Sequence, residues 1–294
     1  MSIRGYVPKS PWQEEMSIRV DCPGIPLLVF VGDLHYGHEG TNHKRIIEDI
    51  DILATCPEDI TPIVFMMGDL IDNAIKTAPG SAMAETVVRV KEQKDEVLAL
   101  CRKIDDKIVG ILQGNHEERS YQADDFEVSS WLANELGVAY MGAGTKVNLE
   151  LVGKDGKVTK LTVLVGHTFT GANPLLRCRN FYDRRGPADV VAVAHMHEPF
   201  VGSEFRQDGL RIYCQCGTYQ EFSRFFMENT LSSSKVSMPA VAIFGQERMP
   251  YLDFRAAIKS LTGKVIEKVD NSAKVTEIEA QIAWIKEKLD GMKA

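Results

Sequence analysis

Short apolar runs of strand length recur along this chain, and each ends in a small residue followed by a polar one. Residues 27–31 lead into Gly32-Asp33-Leu34-His35, and residues 63–67 into Gly68-Asp69-Leu70-Ile71-Asp72. Residues 108–112 lead to Gly114-Asn115-His116-Glu117, 161–165 to Gly166-His167, and 190–193 to Ala194-His195-Met196-His197. Helical spacing separates these runs. Ile46, Ile47, Ile50 and Leu53 predict an amphipathic helix over 43–54, and Val87, Val90, Val97, Cys101 and Ile104 predict a long one over 84–104. Asp124 or Asp125 caps a further helix carrying Phe126, Trp131, Leu132 and Leu136. Lys154-Asp155-Gly156 between 147–152 and 158–165 is a hairpin signal, and 211–216 and 240–244 read as later strands. Alternating β/α units followed by mostly β give an α/β fold of two stacked mixed β-sheets flanked by helices.

Three segments divide the chain. Residues 1–25, rich in proline and polar groups, read as an N-terminal arm with one short strand; 26–250 form the main domain; 251–294 are a C-terminal extension. Within the extension, Val275, Ile278, Ile282, Ile285, Leu289 and Met292 repeat in heptad steps over a helix at 273–290. That seam is covered either by the same chain or by a second copy, so a homo-oligomer through this helix is one expectation.

The seven histidines sharpen the picture, because five of them fall at the ends of the apolar runs. His38 and His43, the other two, read as solvated or locally bonded. An apolar strand ending in Gly-Asp carries its carboxylate to the sheet edge, where open α/β sheets place their chemistry. Asp, Asn and His together suit divalent Mn, Fe, Zn or Ni, and five chain positions supply too many ligands for one ion. They fit two ions about 3.5–4 Å apart. In D-x-H and H-x-H, alternate residues of an extended segment would point the same way, toward the ions. Cys214-Gln215-Cys216 and the other four cysteines read as buried thiols, not a second metal site.

Composition restricts the alternatives. With 44% apolar and 26% charged residues the chain is an ordinary globular one. No apolar run approaches the ~20 residues of a membrane helix, residues 1–15 carry no apolar signal core, and the cytoplasm is the expected compartment. A formal net charge of −7 disfavours binding nucleic acid by bulk charge.

The five motifs in order, D-x-H, G-D-x-x-D, G-N-H-E, G-H and (A)-H-x-H, resemble those of the calcineurin-like metallophosphoesterase superfamily. The resemblance covers 32–197 directly. Ala194 stands where glycine is usual, and Asn73 stands where Ser/Thr protein phosphatases have arginine. It implies a four-layer α/β/β/α sandwich and two divalent ions, with Mn preferred. Asp33, His35 and His197 would bind one ion, Asn115, His167 and His195 the other, and Asp69 would bridge them. His116 would face the scissile phosphate, and Asp72 would hydrogen-bond His116 and fix its tautomer. The implied reaction is in-line attack on a phosphodiester by a metal-bound hydroxide, with His116 assisting the leaving oxygen.

The substrate is read from one further stretch. Arg177, Arg179, Arg184 and Arg185 interleave with Phe181 and Tyr182 between two metal motifs, a pattern suited to a nucleotide or a single strand. Together with a similarity to the nuclease branch of phage and bacterial enzymes, it makes DNA the expected substrate. The alternatives are a cyclic nucleotide phosphodiesterase, a nucleotide pyrophosphatase, a phosphomonoesterase, or a non-enzymatic scaffold or binding module.

Overall fold

A computed structural model describes residues 3–5, 15–76, 78, 82–207, 209–223 and 236–263. The chain divides into a large unit, Met1–Ile258, and a C-terminal unit, Lys259–Ala294. The helix expected at 273–290 lies outside the described residues, as does Pro79-Gly80-Ser81.

The large unit contains two mixed sheets flanked by helices. The first sheet has six strands: β3 (Ile25–Val31), β4 (Ile60–Met66), β5 (Ile108–Ile111), β6 (Ala139–Tyr140), β12 (Ala240–Phe244) and β13 (Glu247–Tyr251). Their order is β13-β12-β3-β4-β5-β6, with β3 to β6 parallel. All seven residues of β4 and the last five of β3 are buried, the continuous apolar run of a strand covered on both faces. The second sheet has seven strands: β1 (Ile3–Gly5), β2 (Glu15–Cys22), β7 (Gly144–Gly153), β8 (Val158–Gly166), β9 (Val190–Val193), β10 (Phe200–Arg206) and β11 (Gly209–Gln215). Its order is β1-β2-β7-β8-β9-β11-β10.

The hairpin of β7 and β8 turns at Gly156, whose φ of +76° only glycine adopts without strain. Residues 15–22 belong to the domain and do not stand off as an arm. They form a full strand alternating exposed and buried, with Met16, Ile18, Val20 and Cys22 inward. Each such apolar side chain removed from water stabilises by roughly 1.5–3 kcal/mol.

Helix α1 (His43–Ala54) starts at Asn42, whose side chain accepts the Arg45 N–H. Helix α2 spans Val90–Arg102, shorter than the spacing predicted. The preceding residues pair with the loop after β3 instead: Val87 N–H donates to the Gly37 carbonyl and Glu39 N–H to that of Glu85. Two helices, α3 (Asn115–Asp124) and α4 (Val128–Leu136), occupy the region where one was expected. Asp125 ends α3 in a left-handed conformation and Glu127 begins α4, so neither Asp124 nor Asp125 caps α4. Helix α5 (Pro174–Arg185) packs Cys178, Phe181 and Tyr182 on Val191, Val193 and Tyr213 of the second sheet.

Helix α6 (Phe254–Thr262) is tied to α1 through Asp49. This buried carboxylate accepts from Tyr219 Oη (2.6 Å), Arg45 Nε (3.0 Å) and Arg255 Nε. Asp49→Ala would leave two guanidiniums and a hydroxyl without their shared acceptor. It is expected to cost about 3–5 kcal/mol in denaturant unfolding. Asp51→Ala, which breaks an exposed pair with Lys103, should stay within about 0.5 kcal/mol. Equal effects of the two would contradict this role for Asp49.

Candidate metal centre

The motif residues converge because the parallel strands of both sheets end at one place. Loops after β3, β4 and β5 of the first sheet meet loops after β8 and β9 of the second. Beyond their strand ends, the first two loops remain laddered: Asp33 N–H donates to Gly68 O, His35 N–H to Asp69 O, and Asp72 N–H to Tyr36 O. Across the sheets, His167 Nδ1 donates to Met67 O (2.7 Å), and His195 N–H donates to the Asp33 carboxylate (3.0 Å to Oδ2).

The loops are not extended segments. Asp33, His35, Asp69, His195 and His197 all have positive φ, at 50°, 44°, 51°, 72° and 57°. The common direction of the D-x-H and H-x-H side chains therefore comes from left-handed turns, not from strand alternation. Each such residue costs on the order of 1–3 kcal/mol and persists only where its surroundings over-determine it.

Nitrogen and oxygen atoms crowd the centre. His35 Nε2 lies 2.9 Å from His197 Nε2, and His197 Nε2 lies 3.4 Å from Asp33 Oδ1. His167 Nε2 is 3.2 Å from Asn115 Oδ1 and 3.2 Å from Asp69 Oδ2. That same Asp69 oxygen is 4.0 Å from His35 Nε2. Three groups have ligand atoms close enough to hold a cation: Asp33, His35 and His197; His35, Asp69 and His116; and Asp69, His167 and His195.

The donor set fits metal ions. Burial, then the neighbouring charges of His116 and His197, hold His35 well below the ordinary histidine range, and burial also lowers His195, which favours the neutral imidazoles that offer lone pairs. Two buried ring nitrogens, His35 Nδ1 and His195 Nδ1, have no hydrogen-bond partner among the described residues. Burial raises Asp69, but the charges of His167 and His116 outweigh it and keep the carboxyl well below its usual range. Burial lowers His167, yet Asp69 beside it pushes its pKa up to about 10. A divalent cation between the two would replace that proton.

One buried side chain fixes the centre. Glu117 Oε1 accepts from Leu70 N–H (2.7 Å) and Ile71 N–H (3.1 Å), and Oε2 from Asp69 N–H and Gly114 N–H (both 3.0 Å). Burial and the Asp69 charge push its carboxyl up to about 7, against the amide donors that favour the carboxylate. A Cβ on Gly114 would lie 2.2 Å from Asp69 N and Oδ1, so glycine is what lets the two loops touch.

His116 lies in the first turn of α3, with its N–H on Asp69 Oδ1 (2.9 Å) and its ring 4.4 Å from that of His35. Its Nδ1 donates to the backbone carbonyl of Asp72 (2.6 Å), while the Asp72 carboxylate is 3.7 Å away and accepts from Thr86 Oγ1 (3.1 Å). Asp72 thus orients His116 through its carbonyl, which its left-handed neighbour Asn73 turns toward the ring, and not through its carboxylate. Asn73 is used structurally: its amide donates to His116 O (2.6 Å) and Ser120 Oγ (3.0 Å).

A model of the calcineurin-like phosphoesterase family matches residues 27–228, which hold all five motifs. The chain belongs to that family. Divalent metals are the family's cofactors, in keeping with the clusters of Asp and His here. No curated protein matches the sequence. Similar solved structures include wild-type Vps29 of Entamoeba histolytica complexed with Zn2+, at 13% identity and TM-score 0.43, covering 76% of this chain and 90% of that one. Chaetomium thermophilum Vps29 is 14% identical with TM-score 0.41, covering 77% and 86%. A metallophosphoesterase from Sphaerobacter thermophilus is 11% identical with TM-score 0.39, covering 80% and 92%.

The arginine-rich stretch lies on α5, with Arg184 and Arg185 exposed at its end and Arg177 and Arg179 engaged by carboxylates. Arg177 is buried, with its guanidinium on Glu198, Gln215 and the Gly171 carbonyl. Arg179 pairs with Glu204 (2.8 Å), and Arg184 lies over the Phe169 ring. His38 and His43 are bonded locally, to Glu85 and the Gly40 N–H and to the Gly37 N–H, respectively. All six cysteines are free thiols, five of them buried. No helix among the described residues is long and apolar enough to cross a membrane.

Glu117→Gln should expose the dependence on the four-fold acceptor. An amide placed among N–H donors leaves at least one unpaired, at about 1–3 kcal/mol each, and releases Asp69. Unfolding by denaturant should detect that loss, and metal analysis should show reduced occupancy. Wild-type stability with full metal content would refute it.

Proposed function

We propose that this phosphoesterase-family chain hydrolyses phosphodiester bonds with two divalent metal ions. The observation that carries the reading is the position of Asp69 Oδ2, 4.0 Å from His35 Nε2 and 3.2 Å from His167 Nε2, where one carboxylate can serve two ions. Asp33, His35 and His197 would hold one ion, Asn115, His167 and His195 the other, with Asp69 shared. Mn is the first choice of metal, and Fe, Zn and Ni suit the same donors. Such ions supply Lewis-acid neutralisation of the phosphoryl charge and a water acidic enough to ionise near neutrality.

The chain's own residues do the rest. His116 has one ring nitrogen engaged by the Asp72 carbonyl, which fixes the ring plane and leaves Nε2 for the substrate. Burial lowers the His116 pKa, with the Asp69 and Asp72 charges opposing that shift; when it carries the second proton, it donates from Nε2 to the departing oxygen. Asp69 Oδ1 holds the backbone of His116, so the ligand and the proton donor move as one unit.

DNA is our first reading of the diester, with the chain acting as a nuclease. Arg184 and Arg185, exposed at the end of α5, are the residues of that stretch we assign to a phosphate backbone. The engagement of Arg177 and Arg179 by carboxylates favours a second reading, a small nucleotide as substrate. Self-association through the heptad seam in 273–290 belongs to the same proposal as a property of the sequence.

A substrate panel with Mn2+ tests both levels: single- and double-stranded DNA, a cyclic nucleotide and bis(p-nitrophenyl) phosphate. At least one diester should be hydrolysed, and His116→Gln should lose about 10²–10⁴-fold in rate while keeping its metal. The loss should be larger for a nucleotide leaving group than for p-nitrophenolate. Equal losses on both would contradict proton donation by His116, and inertness toward every diester would contradict the function.

A further inference from the structure

We propose that Arg119 binds the substrate, its guanidinium taking the non-bridging oxygens of the phosphate under attack; this deepens the phosphoesterase reading and rests on it. Arg119 lies three residues beyond His116 on α3, so both side chains occupy one face of the helix. They also share an acceptor. Arg119 Nη1 donates to the Asp72 carbonyl (3.0 Å), the same oxygen that receives His116 Nδ1 (2.6 Å). The guanidinium is thereby held beside the imidazole that faces the metal cluster.

That single bond uses one of the five N–H groups of the side chain. Among the described residues the others have no protein acceptor, and Arg119 makes no ion pair although it is half-buried. Its position contrasts with Arg45, Arg177, Arg179, Arg211, Arg248 and Arg255, each of which reaches a carboxylate. A half-buried guanidinium with open donors at a centre built for phosphate has an evident complement, since its planar fork matches two phosphate oxygens. Asn73 cannot take that part, because its amide is committed to His116 O and Ser120 Oγ.

The alternative is a purely supporting role, with Arg119 bracing the Asp72 carbonyl and so the His116 ring. The two roles separate in the full-length, Mn2+-loaded protein with inorganic phosphate as probe. Arg119→Gln should weaken phosphate binding, by calorimetry and as a competitive inhibitor, by about 10- to 100-fold, the worth of a charge-assisted contact. Its kcat/KM should fall further for p-nitrophenyl phosphate, a dianion, than for bis(p-nitrophenyl) phosphate, a monoanion. Arg119→Lys, which keeps the charge without the fork, should fall between wild type and the glutamine variant. Phosphate affinity unchanged in Arg119→Gln, or in Arg119→Lys should the glutamine variant fail to fold, would overturn the assignment, as would equal loss on the two esters. A wild type that binds phosphate through Arg119 but cleaves neither ester would sink the phosphoesterase reading and leave this assignment standing.

Discussion

Four backbone N–H groups on one buried carboxylate hold this centre together. Glu117 gathers the amides of Asp69, Leu70 and Ile71 from one loop and of Gly114 from another, so the loops after β4 and β5 form a single body. Leaving any one of those buried donors unpaired costs about 1–3 kcal/mol, which makes alternative loop conformations expensive. The left-handed backbone of Asp69 is tolerable for that reason, and its two carboxylate oxygens are aimed separately. Oδ1 takes the His116 N–H, and Oδ2 faces His167. His116 and Asp69 therefore inherit their positions from Glu117, a side chain spent on backbone amides.

The same logic operates between the sheets. The first sheet presents Asp33, His35, Asp69 and Asn115, and the second His167, His195 and His197. Neither set completes the centre alone. The bonds from His167 Nδ1 to Met67 O and from His195 N–H to Asp33 Oδ2 set the distance between them. Glycine permits the approach at the tightest point, since a Cβ on Gly68 would lie 2.7 Å from His167 Nδ1. Five ligand-type residues with positive φ are the local cost of bringing side chains from two sheets to one spot, offset by the burial of β3, β4 and β9.

Much of this was legible in the sequence, and the rest was hidden for physical reasons. Strand ends were readable because an apolar run stopping at glycine and then Asp, Asn or His is a local pattern. Helix α1 was readable because Ile46, Ile47, Ile50 and Leu53 keep its 3.6-residue period. The start of α2 was not: Val87 fits the helical stripe, but tertiary bonds to Gly37 and Glu39 claim the backbone before it. Helix α3 was hidden because its residues are polar, and only Glu117 three positions after Gly114 marks a helix start there. The basic stretch in α5 had the right residue types for nucleic acid, yet Glu198 and Glu204, distant in sequence, occupy Arg177 and Arg179. Pairings between remote positions leave no local trace, so Arg119, half-buried and with no carboxylate partner among the described residues, could not be picked out before the fold was known.

The chemistry assigned to the centre depends on whether Asp69 joins two ions. Electron paramagnetic resonance of the protein loaded with Mn2+ tests this most directly. Two ions per chain with an exchange-coupled spectrum, as expected for ions about 3.5–4 Å apart, are predicted, with the coupling lost in Asp69→Asn. One uncoupled ion per chain at saturating Mn2+ would contradict a shared carboxylate, and with it the dinuclear site.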